Sequence, residues 1–92
     1  MAIKSREDFY TLESAEGLTD KDWRFIQSTL LEMSDEELGE ALGYNDTERG
    51  RKYVQRQRTG KSGVAPAAVT AMWLLVFNEE TDEVELPVWM GI

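Results

Sequence analysis

Glu37-Leu38-Gly39-Glu40-Ala41-Leu42-Gly43-Tyr44-Asn45, followed at once by Arg49, Arg51, Lys52, Arg56, Arg58 and Lys61, is the stretch on which the fold turns. Gly39 stands four positions before Gly43. The first is small enough to let two helices approach closely, and the second can take the left-handed conformation that a sharp interhelical turn needs. Together they predict a helix-turn-helix over 34–59 whose second helix is basic. Double-stranded DNA is the partner expected of such a helix.

The net charge of -8 looks hostile to nucleic acid, but the average conceals a partition along the chain. Residues 1–44 hold four basic and eleven acidic side chains, 45–61 hold six and two, and 62–92 hold none and five. A local cationic patch is enough to engage phosphates, while an acidic surround weakens nonspecific binding. Ninety-two residues with three Trp, three Phe and three Tyr suit one domain with a modest core. No run of eighteen apolar residues occurs, and Met1-Ala2-Ile3-Lys4-Ser5-Arg6-Glu7-Asp8 does not read as a signal peptide, so a cytoplasmic location away from membranes is expected. With no Cys and no His, disulfides, thiolate or imidazole metal sites, and Cys- or His-based catalysis are excluded.

Working outward from the opening stretch, Ser34-Asp35-Glu36-Glu37 has the form of a capping box, with Ser34 bonding the Glu37 amide and the Glu37 carboxylate returning to Ser34. The acids Asp35, Glu36, Glu37 and Glu40 complement a helix N-terminus, which is the ordinary meaning of such a cluster, in preference to a metal site. Upstream, Thr19-Asp20-Lys21-Asp22 repeats the capping spacing, and Trp23, Ile26, Leu30 and Met33 recur at helical intervals. A helix over about 20–33 follows. Residues 1–17 show no sustained period and read as an arm or a short helical cap.

Downstream, Asn45 or Thr47 can cap a helix reaching about Thr59, before Gly60 and Gly63 interrupt it. Its helical repeat gathers Gly50, Tyr53, Val54 and Gln57 on one side and points Glu48, Arg51, Lys52 and Gln55 the other way. Gly60-Lys61-Ser62-Gly63 lacks the full phosphate-loop pattern, since position 55 is Gln, so nucleotide hydrolysis is not expected. Pro66 suits the first turn of a further helix through Ala67, Val69, Met72, Trp73, Leu75, Val76 and Phe77, apolar enough to be central, with Met72 and Trp73 as packing residues. Glu83 to Met90 alternates acidic and apolar groups and reads as an edge strand containing Pro87. Val84, Leu86, Val88, Trp89 and Met90 on that strand are candidates for a homodimer interface. The expected fold is therefore mainly α, a compact four- to five-helix domain with a helix-turn-helix and a short C-terminal β-strand or hairpin.

Three pieces of the chain carry a family resemblance: Glu37 to Gly43, Val54-Gln55-Arg56-Gln57-Arg58-Thr59-Gly60-Lys61, and Val64-Ala65-Pro66-Ala67-Ala68-Val69. They resemble the Cro/CI-type helix-turn-helix regulators of phages and bacteria, including those that accompany anti-CRISPR genes, over about half the chain. The chain differs in carrying Arg49 where an apolar residue is usual and Gln57 where an aromatic often sits, with extra residues after Asn45. The resemblance implies a sequence-specific transcriptional regulator, a repressor that seats its basic helix in the major groove.

The residues themselves supply suitable donors. Arg51 and Arg56 can pair with guanine and Gln55 with adenine, while Arg49, Lys52, Arg58 and Lys61 suit phosphates. No cofactor, metal or catalytic residue is expected. A second reading, from the acidic remainder, is a small inhibitor or antitoxin, anti-CRISPR-like, whose carboxylates imitate phosphates and occupy a basic protein partner.

Overall fold

A computed structural model describes residues 3–77, which are mainly helical. The α-helices are α1 (Arg6–Tyr10), α2 (Asp20–Phe25), α3 (Asp35–Ala41), α4 (Thr47–Thr59) and α5 (Pro66–Phe77). No strand occurs among the described residues. The strand expected over 78–92, with Val84, Leu86, Val88, Trp89 and Met90, lies outside them.

Helix starts follow the capping signals. Thr19 accepts the Asp22 N–H (3.3 Å) while Asp22 accepts the Thr19 N–H (2.9 Å). Ser34 accepts the Glu37 N–H (3.1 Å) while Glu37 accepts the Ser34 N–H (2.9 Å). Each reciprocal pair satisfies donors that a helix N-terminus leaves open.

Residues 20–33 do not form the uniform helix expected. α2 passes without a break into a π-helical segment, Ile26–Leu31, which ends at Glu32 with φ 52°. The Ser28 hydroxyl donates to the Arg24 carbonyl at 2.6 Å, competing for an acceptor of the regular ladder. The wider turn that follows closes with the Met33 N–H on the Gln27 carbonyl (3.1 Å).

The core collects Trp23, Ile26, Leu38 and Val54 around α5, whose Val69, Met72 and Trp73 are fully buried. α5 buries Ala68, Val69, Met72, Trp73, Val76 and Phe77 while leaving Leu74 exposed, so Met72 and Trp73 are packing residues. Of the two readings of the N-terminal segment, arm or short helical cap, residues 3–17 take the second. Phe9, at 0% exposure, packs on Phe77 with ring centroids 5.9 Å apart, and its carbonyl accepts the Trp73 indole N–H at 3.1 Å. Ile3 donates its N–H to the buried Asp22 carboxylate at 2.8 Å. The N-terminal segment thus closes one end of the core, and the same Asp22 that caps α2 anchors it.

Candidate nucleic-acid interface

α3 packs more extensively on α4 than on any other element, and the turn between them sets their approach. Gly43, at φ 102°, ends α3 in the conformation expected of it, with the Tyr44 N–H bonded to the Gly39 carbonyl (3.2 Å). The two helices meet backbone to backbone at Gly39 and Gly50. A Cβ placed on Gly39 would fall 2.6 Å from the Gly50 carbonyl carbon. The close approach foreseen from Gly39 is therefore made with Gly50, while Gly43 serves the turn alone. The cap of α4 is Asp46, which accepts the Arg49 N–H at 3.1 Å, rather than Asn45 or Thr47, because Thr47 already occupies the first helical position.

Burial of Gly50, Val54 and Gln57 fixes which way α4 faces. Gln57 does more than pack. Its Oε1 accepts the Ala65 N–H (3.0 Å) and its Nε2 donates to Ser62 Oγ (3.3 Å), pinning the loop that leads to α5. Opposite this buried side, Lys52, Gln55 and Arg56 are exposed, and with Thr59 and Lys61 they line a shallow cleft of about 140 Å³. Lys61 is carried there by Gly60, whose left-handed φ of 79° caps α4.

Three of the seven candidates lie outside this cleft: Arg49, on the far flank of α4, and Arg58 and Arg51. Arg58, expected on a phosphate, instead grips Asp35 through Nε (3.1 Å) and Nη2 (3.0 Å), tying the end of α4 to the first turn of α3. The physical reason is a ready-made acidic site: Gln27 already donates to Asp35 Oδ1 at 2.8 Å, and Trp23 donates to Gln27 Oε1 at 2.9 Å. Arg24 extends the arrangement by donating to the Arg58 carbonyl and to Asp20, each at 2.7 Å. Burial by itself would raise the Asp35 carboxyl, but the hydrogen bonds from Arg58 and Gln27 outweigh it and hold the group below the usual carboxylate range. Arg51, expected at a base edge, lies on this same flank, 3.8 Å from Glu48 and close enough for its charge to favour the Asp35 carboxylate.

The other flank of α4 is a groove of about 610 Å³ lined by Tyr44, Asp46, Glu48, Arg49, Lys52, Tyr53 and Arg56. Tyr44 and Tyr53, given no binding part by the sequence pattern, form its aromatic lining. Tyr44 and Tyr53 pack with centroids 5.2 Å apart, and burial, aided by Tyr44, pushes the Tyr53 phenol above its ordinary pKa. The visible signal was an aromatic directly after the turn glycine, with a second on the half-buried side of the next helix.

No family model, curated protein or solved structure matches the chain.

The chemistry available here is recognition of anions and of hydrogen-bonding edges. Arg49, Arg56 and Lys61 have no carboxylate partner among the described residues, whereas Glu48 lies 3.5 Å from Lys52. No group of three or more Asp or Glu side chains placed to hold a metal occurs among those residues, and none of their helices is long and apolar enough to cross a membrane.

Proposed function

We propose that this chain is a sequence-specific DNA-binding transcriptional regulator, a repressor in which α3 and α4 act as a helix-turn-helix and α4 enters the major groove. One observation carries the proposal. In a chain of net charge -8, the solvent side of α4 presents Lys52, Gln55 and Arg56 while its opposite side is buried against the core. An α-helix that exposes the bidentate Gln55 amide between cations, with its other side held by the core, is an arrangement that reads base edges. The resemblance to Cro/CI-type regulators supports the same reading.

Arg58 holds α4 in place through Asp35, and Arg51 stands beside that contact instead of at the crest of the helix. If the segment containing Val84 to Met90 joins two copies, the operator is an inverted repeat with half-sites about one helical turn apart. The test is an anisotropy titration against duplex from upstream of its own gene and a scrambled duplex, over a salt series. Preference for the native duplex, weakening steeply with salt and lost in a Gln55→Ala variant, is expected.

The acidic-inhibitor reading has its own support in a groove lined by Glu36, Glu37 and Glu40 beside Gly43 to Asn45. Absence of salt-sensitive binding to either duplex, together with loss of inhibition on reversing those three charges, would favour it over DNA.

A further inference from the structure

We infer that the tyrosine-floored groove beside α4 seats the sugar-phosphate backbone of one DNA strand, with Tyr44 and Tyr53 against the sugars and Arg49 and Arg56 on the phosphates. The inference rests on the DNA-binding reading and divides the work of α4: the groove positions the duplex, and the crest around Gln55 reads it.

Charge pairing inside the groove points to this division. Asp46 is engaged by the Arg49 amide it caps, and Glu48 sits between Lys52 at 3.5 Å and Arg51 at 3.8 Å. Arg49 and Arg56 have no acidic partner among the described residues, although the chain as a whole carries an excess of acids. Seven positions apart, they share one side of α4 and stand about 10.5 Å apart along its axis. Two unpaired guanidinium groups in a line match a repeating anion better than a single small one.

The groove is open to solvent and not an enclosed pocket, as contact with a strand requires. Its floor is apolar ring surface with phenolic hydroxyls, suited to deoxyribose faces and to donation toward phosphate oxygens. Tyr53 is rigidly placed because it follows the Gly39–Gly50 contact by less than one turn and packs on Tyr44.

The experiment is the same salt-series titration, run on wild type, Arg49→Ala, Arg56→Ala, Arg49→Lys, Tyr44→Leu and a distant cation control, Lys21→Ala. Each arginine-to-alanine change should lower the magnitude of the log–log salt slope by about 0.9 and weaken native and scrambled duplexes by similar factors, leaving their ratio unchanged. Arg49→Lys should restore the slope, Tyr44→Leu should weaken both duplexes without changing it, and Lys21→Ala should match wild type. Thermal melts confirm that the variants are folded. A wild-type slope in both arginine-to-alanine variants, or a selective loss of the native duplex, overturns the groove assignment while DNA binding stands. Wild-type protein that binds neither duplex removes the DNA reading and this inference together.

Discussion

Replacing Gly39 with alanine should force α3 and α4 apart. The new methyl group would lie 2.6 Å from the Gly50 carbonyl carbon and 2.9 Å from its Cα and oxygen, where ordinary contacts begin at 3.4 Å. All three obstacles are backbone atoms, so no rotamer change relieves them. Overpacking of this kind costs up to about 3 kcal/mol. Alanine recovers about 1 kcal/mol through its higher helix propensity. A net loss of about 2 kcal/mol remains, equivalent to a fall in Tm of about 8–16 °C for a domain of this size. Urea unfolding followed by far-UV circular dichroism reads it directly. Gly50→Ala is the internal comparison, because its Cβ meets Tyr44 Cβ at 3.0 Å and Gly39 Cα at 3.2 Å, distances that a small shift accommodates. It should remain within about 1 kcal/mol of wild type, the propensity gain offsetting the crowding. A Gly39→Ala protein as stable as wild type, or a reversed order of the two variants, would refute the backbone contact. If α4 enters DNA as proposed, Gly39→Ala should also weaken that binding in whatever fraction of the protein stays folded.

Two further outcomes bear on parts of the fold that the sequence disguised. Phe9→Ala should destabilise the protein by about 3–5 kcal/mol, as expected for a fully buried aromatic ring and not for an arm; chemical denaturation that shows less than 1 kcal/mol would return residues 1–17 to the periphery. Asp35→Asn should cost about 1 kcal/mol at neutral pH, after allowing for solvent screening of a partly exposed pair. The Asp35 pKa is lowered in the folded state, so its contribution is present above the unfolded value near 3.9 and is lost as pH falls through the folded one. The gap between wild-type and variant stability should therefore close on acidification, and a gap independent of pH would exclude the carboxylate as its source.

Much of the helical framework was legible because its signals are local. Thr19 and Ser34 each stand three residues before the acid that completes a capping box, and both boxes form. Gly43 and Gly60 end α3 and α4 in left-handed conformations that a glycine adopts cheaply. Pro66 opens α5, and Val69, Met72, Trp73, Val76 and Phe77 of the apolar run behind it are buried. The buried side of α4 was legible too, since Gly50, Val54 and Gln57 fall together by helical repeat alone. The π-helical segment was less so, because Trp23, Ile26 and Leu30 have the same spacing whichever ladder the backbone chooses.

What tertiary structure alone decided is which long-range partners these local pieces take. Asp35 and Arg58 are 23 positions apart, and Phe9 and Trp73 are 64 apart. Nothing in the neighbourhood of Arg58 distinguishes it from Arg56, yet one turns to the half-buried Asp35 and the other to solvent. Likewise Gly39 carries the same freedom whether it meets Gly43, Gly50 or water. Caps, turns and amphipathic sides depend on bonds within a few residues, so composition and spacing determine them. Pairing across the core depends on the directions in which finished helices bring their side chains, and those directions exist only once the chain has folded.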